Sequence, residues 1–229
     1  MKLRLLTAAT VAALTLGAGA AVAQDTSSER GRLSYAIGYD LGRNLIESGE
    51  AIDINTVIRA LQDGYGRKDP TVPVEQLRQA VGAMEQRQMA KAQAAFNEAA
   101  TQNKTRSDQF LAQNRSAAGV QVLPNGVQYK VIEAGSGRRP TQTSKVDLEV
   151  TGPFPWGQRP QQAPQAQSMK DMQVNQIEMV AMREALLQMP TGAKWEIVLP
   201  PDRAYGADPR SGFPPNVAVA FEVKLIAVK

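Results

Sequence analysis

Neither cysteine nor histidine occurs anywhere in the 229 residues. Their absence excludes disulfides, zinc sites built on thiolate or imidazole, cysteine nucleophiles and hydroxyl nucleophiles activated by imidazole. Any chemistry must proceed without a histidine. Aromatic residues are also scarce, at 5%, and no block of lysine and arginine is interleaved with them, so no nucleic-acid partner is expected from the formal net charge of +4. Lys2 and Arg4 supply two of the 26 basic residues, and the remainder exceed the 22 acidic ones by only two.

With 43% hydrophobic and 21% charged residues, the chain is long enough for one large domain or two small ones. Residues 1–23 have the form of a secretory signal peptide: basic Lys2 and Arg4, an uncharged run from Leu5 to Leu16, then Ala21-Val22-Ala23 as the cleavage signal. The expected mature chain is exported, has no stable membrane anchor and relies on core packing alone. That combination suits the Gram-negative periplasm.

The mature sequence falls into two halves of different period. Leu33, Ile37, Leu41 and Leu45 recur every four residues, and Ile54, Val57, Ile58 and Leu61 mark a second apolar face. Two helices are predicted in 24–73, the second capped by Asp53 and closed by Gly64, Gly66 and Pro70. Gly38 and Gly42, four apart, suggest close approach of another helix, either across an oligomer interface or within the chain. A third helix begins after Pro73, with Val74, Leu77, Val81 and Met84 on one face, and meets no clear break before Gly119. The polar stretch from Gln86 to Asn114, with Phe96, Phe110 and Leu111 isolated in it, reads as a solvated stalk within a connecting helix over 74–118. A break near Gln102-Asn103 that folds this helix back on itself is the competing arrangement.

Beyond Gly119 the period becomes two. At least four strands are predicted, around Val127–Val131, Val146–Val150, Trp195–Leu199 and Val217–Leu225, with a short helical run at Met182–Met189. The fold class is α+β, a sheet in 119–229 wrapped around that one helix. Residues 153–167, rich in proline and glutamine, are expected to form a loop, as a flexible insertion or as a peptide-holding segment.

Met189-Pro190-Thr191-Gly192-Ala193-Lys194-Trp195, Leu199-Pro200-Pro201-Asp202-Arg203-Ala204-Tyr205-Gly206, Phe213-Pro214-Pro215-Asn216 and Val219-Ala220-Phe221-Glu222-Val223 follow in an order that resembles the FKBP-type peptidyl-prolyl isomerases. Gly126-Val127-Gln128-Tyr129-Lys130-Val131 looks like that family's entry strand. Ser34-Tyr35-Ala36-Ile37-Gly38-Tyr39-Asp40-Leu41-Gly42 is similar to the helical domain of its macrophage infectivity potentiator-like branch. The resemblance implies an antiparallel FKBP-like sheet around a short helix, a homodimer joined through the N-terminal helices, proline-containing unfolded or partly folded polypeptides as partners, and no metal or organic cofactor.

It also implies a pocket. Tyr205 matches the family's ligand-bonding tyrosine, Phe221 a wall aromatic, and Phe213 replaces an aliphatic wall residue. Val150 stands where the family has a tyrosine before Thr-Gly, and Pro160-Gln161 falls nearest its Phe-Asp. Glu178-Met179-Val180-Ala181-Met182 takes the place of Val-Ile-x-Gly-Trp, so Met182 becomes the floor, with Met179 beside it. Such a site needs no proton transfer. The barrier to rotation, about 18–20 kcal/mol, reflects amide resonance, and a dry apolar pocket favours the twisted, less polarised amide. Two functions follow: an exported prolyl isomerase assisting folding, attenuated by the changed pocket, or a dimeric chaperone or scaffold that keeps a relic of the isomerase domain.

Overall fold

The computed structural model describes residues 25–162 and 164–229; the expected signal peptide lies outside the described residues. Two helices open the described chain. In α1 (Glu29–Glu47) the Ser28 side chain accepts from the Gly31 amide, and in α2 (Ile54–Tyr65) Asp53 accepts from the Asn55 and Thr56 amides. Both caps satisfy N–H groups that a helix start leaves unpaired. α2 stops at Gly66, as its glycines predict. Helix α3 (Val74–Arg115) runs unbroken for 42 residues, about 63 Å at 1.5 Å per residue, and the alternative break at Gln102-Asn103 is not present.

Contacts divide the chain after Met84 into two units. In the first, neither α1 nor α2 buries a single residue; Leu33, Ile37, Ile58 and Leu61 are all about half exposed or more. A Cβ placed on Gly38 or Gly42 would meet nothing within 4 Å. Of the two readings of those glycines, close packing within the chain is therefore not what the structure contains.

The second unit is built on a six-stranded antiparallel sheet in the order β1-β2-β5-β6-β3-β4, formed by β1 (Val120–Val122), β2 (Gln128–Glu133), β3 (Lys145–Pro155), β4 (Gln167–Gln173), β5 (Lys194–Leu199) and β6 (Val219–Val228). The four predicted strands are β2, β3, β5 and β6. Strands alternate their side chains between faces. Trp195, Ile197 and Leu199 with Val219, Phe221, Val223 and Leu225 build the main core, which α4 (Val180–Leu186) covers with Ala181, Met182, Ala185 and Leu186. This helix begins and ends earlier than the predicted Met182–Met189, because the chain turns at Leu187–Met189 ahead of Pro190.

The opposite face carries Phe154, Val198 and Ala220, and Phe110 and Leu111 of α3 pack on it. The solvated-stalk reading thus fails for the last third of α3, where Ser107 is completely buried. Residues 153–167 also depart from the predicted loop: 153–155 finish β3 and Gln167 starts β4. Phe154 and Pro155 pair with Ala220 and Val219 of β6 across a register shift. β4 pairs β3 only as far as Val150, so the prolines sit where the other edge of β3 has no neighbour and no ladder hydrogen bond is forfeited there.

Candidate active site

The six residues singled out from the sequence all belong to the main core cluster or pack against it. Phe221 and Met182 lie within the main core, 6% and 8% exposed, and Val150, Met179, Tyr205 and Phe213 are half-buried against the same cluster. Strand β3 brings Val150, β6 brings Phe221, and the start of α4 brings Met179 and Met182. Tyr205 and Phe213 come from the long connection between β5 and β6, where their rings stack with centroids 4.4 Å apart. Pro160 and Gln161 are exposed and do not join the cluster. Their neighbour Arg159 instead pairs with Glu196, at 2.5 Å, and with Glu222.

Two features sharpen this geometry. Gly152, between Thr151 and Pro153, has φ +131°, and a Cβ there would lie 3.0 Å from the Phe221 ring and 2.9 Å from the Ala220 carbonyl. A glycine is required for β3 to pass this close to Phe221 and Ala220. Burial raises the Tyr205 pKa above its ordinary value, and among the described residues its hydroxyl has no hydrogen-bond partner. It is therefore a protonated donor at neutral pH, free to bond a peptide carbonyl.

Trp195 lies in the same main core as Phe221 and Met182. It is 4% exposed, its ring stacks on Tyr129 at 4.3 Å, and its indole N–H has no partner among the described residues. Trp156 is the residue that sequence reasoning missed. It packs against the same cluster as the six pocket residues, and its indole N–H donates to Ser107 Oγ at 3.0 Å. The one available signal was a tryptophan, one of only two, inside a proline/glutamine-rich segment. No group of three or more aspartate or glutamate side chains gathers among the described residues as a metal ion would need.

An antiparallel sheet closed over one short helix, with Tyr205 and Phe213 of the β5–β6 connection packed on its core, is the architecture that the comparisons with known proteins can be set against. They agree with it. A family described as "Domain amino terminal to FKBP-type peptidyl-prolyl isomerase" matches residues 30–131, and "FKBP-type peptidyl-prolyl cis-trans isomerase" matches residues 136–226. The chain is 37% identical over 233 residues to the outer membrane protein MIP of Legionella longbeachae, covering 100% of this chain and 99% of that one. It is 32% identical to the peptidyl-prolyl cis-trans isomerase Mip of Coxiella burnetii, over 94% of each chain. The crystal structure of FkpA from Escherichia coli shares the fold, with a TM-score of 0.65 at 24% identity, over 89% of this chain and 98% of the other. The chain belongs to the FKBP-type peptidyl-prolyl cis/trans isomerase family, with that family's amino-terminal helical domain.

Proposed function

We propose that the protein is an exported prolyl isomerase that assists the folding of envelope proteins, with turnover lowered by its altered pocket. The observation that carries this reading is the gathering of Tyr205, Phe213, Phe221 and Met182 in one apolar cluster with a free tyrosine hydroxyl at it. Proline-containing segments of unfolded or partly folded polypeptides are the substrate class. The proline ring lies over Met182, Phe221 and Phe213 form walls, and Tyr205 donates to the peptide backbone. Val150 and Met179 complete the apolar lining. Met182 fills space adaptably but offers less flat surface than the family's indole, which weakens ring burial.

Export is supported by the form of residues 1–23 and by two relatives of which one is named an outer membrane protein. No helix among the described residues is long and apolar enough to cross a membrane. Residues 24–73 are proposed to join two copies into a dimer. The exposed apolar faces of α1 and α2, and the open space at Gly38 and Gly42, support a second copy as what covers them. Residues 74–118 then carry the isomerase domain, 119–229.

Refolding of a client limited by proline isomerisation tests the activity, because the uncatalysed step takes tens of seconds. Acceleration in proportion to protein concentration, lost on removing the Phe213 and Tyr205 side chains, is the expected result. No acceleration by folded protein, with suppressed client aggregation, would favour the chaperone reading, which the exposed apolar surface of α1 and α2 supports.

A further inference from the structure

The corner of the connection from Phe213 to Val217 has little hydrogen bonding of its own. Pro214 and Pro215 have no N–H to give, and Asn216 stands at φ +55°. Within the connection, the Phe213 amide donates to Ser211 Oγ at 3.2 Å and the Asn216 amide to the Gly206 carbonyl at 2.7 Å. Yet Pro215 and Val217 are buried, so the carbonyls of this corner must find donors elsewhere.

Helix α3 provides them. Asn103 Nδ2 donates to the Pro215 carbonyl at 2.9 Å, Ser107 Oγ donates to the Asn216 carbonyl at 2.8 Å, and Asn216 Nδ2 donates in return to the Ala100 carbonyl at 3.1 Å. Ser107 Oγ also accepts from the Ala218 amide at 2.8 Å and from Trp156 Nε1 at 3.0 Å. One donated and two accepted bonds use the full capacity of a hydroxyl. The Arg106 guanidinium lies 3.6 Å over the Trp156 ring, and Gly157, at φ +68°, leaves room for the Phe110 ring, which a Cβ would meet at 3.1 Å.

These contacts join α3 to two segments: the turn after β3, with Trp156, and the corner before β6, three residues from Phe213. An apolar residue at position 107 would leave the Asn216 carbonyl, the Ala218 amide and Trp156 Nε1 without this partner. A serine there serves the corner and not the sheet ladder. We propose that α3 is a positioning element of the proline pocket, with Asn103 and Ser107 holding the loop that places Phe213 against Tyr205. Its effect on turnover rests on the isomerase reading given above; its effect on the loop does not.

Asn103→Ala and Ser107→Ala in the full chain test this, beside Ser107→Thr, which keeps a hydroxyl, and Asn114→Ala. Asn114 is also on α3 but bonds Gln128 of the sheet, at 2.8 Å, and not the corner. Amide hydrogen exchange is expected to quicken about tenfold or more at Phe213, Asn216 and Ala218 in the alanine variants at 103 and 107, with Ile197 of β5 unchanged. On a proline peptide, kcat/KM should fall about three- to tenfold through KM, since displaced binding groups cost affinity before chemistry. Ser107→Thr should retain more than Ser107→Ala, and Asn114→Ala should alter neither readout. Should Ser107→Ala fail to fold, Asn103→Ala, which removes a single bond, decides alone. Unchanged exchange at the corner, equal quickening throughout β5 and β6, or a loosened loop with unaltered KM would overturn the proposal. If the unaltered protein does not isomerise proline peptides, the function reading falls, and the exchange pattern by itself decides whether α3 holds the loop.

Discussion

The rings of Tyr205 and Phe213 lie face to face, 23° from parallel, so each limits where the other can move. Removing either therefore has two effects: a contact is lost and its neighbour is released. Phe213→Ala should lower kcat/KM by about five- to hundredfold, corresponding to about 1–3 kcal/mol of lost apolar contact. Tyr205→Phe keeps the stack but deletes the free hydroxyl, so it should lower kcat/KM while leaving the unfolding midpoint nearly unchanged. Steady-state kinetics on a proline peptide, with urea unfolding alongside, separates the two.

Gly152→Ala forces a side chain into a φ of +131° and toward the Phe221 ring. A loss of about 1–3 kcal/mol in stability is expected from the backbone conformation alone, with turnover falling as well because Phe221 must give way. Urea denaturation followed by tryptophan fluorescence measures the first effect, and the refolding assay the second.

Ile37→Glu puts a charge on the apolar face of α1, where Ile37 is 64% exposed in the single chain. If that face meets a second copy, the variant should sediment as a monomer while its isomerase domain unfolds at the unaltered temperature. Burial of each such side chain is worth about 1.5–3 kcal/mol, so a few positions suffice to hold or break the pair. Sedimentation equilibrium across protein concentrations is the check.

Asp208 caps the turn that leads to Phe213. Its carboxyl is held at about 2, below the ordinary 3.8, chiefly by the Arg210 side chain and then by the Arg210 amide. A depressed carboxylate stabilises the fold above its unfolded pKa, and that contribution disappears as pH falls through the folded value. The expected loss therefore lies between about pH 4 and pH 2, and Asp208→Asn should flatten the stability profile in that interval. Urea midpoints at about pH 5, 3 and 2 for both proteins test it.

The sequence made some elements readable because one signal dominated each. Asp53 before an apolar-periodic run marks α2, and the strict alternation of Trp195, Ile197 and Leu199 marks β5. Of the six candidate residues, Tyr205, Phe213 and Phe221 came from ordered motifs, and Val150, Met179 and Met182 from the positions where those motifs are altered. β1 escaped because it has only three residues, and β4, Gln167–Gln173, because it is an edge strand with almost no buried side chain. The docked face of α3 was hidden for a different reason. Asn103, Ser107 and Asn114 dock through hydrogen bonds, so the stretch has no apolar stripe to show. Trp156 was obscured by the prolines around it, which read as loop until the pairing of Phe154 and Pro155 with β6 places them beside the sheet.

The last ten residues but one of the chain, Val219–Val228, form an inner strand, lying between β5 and β3. Every other strand is synthesised before it, yet β3 and β5 have no common neighbour until it arrives. The sheet is therefore completed only after β6 has left the ribosome, and, if the chain is exported, only after β6 has left the translocation channel. A domain whose joining strand comes last keeps β1-β2-β5 and β3-β4 as separate pieces until it is added, so loss of this strand would part the sheet at its centre rather than fray an edge.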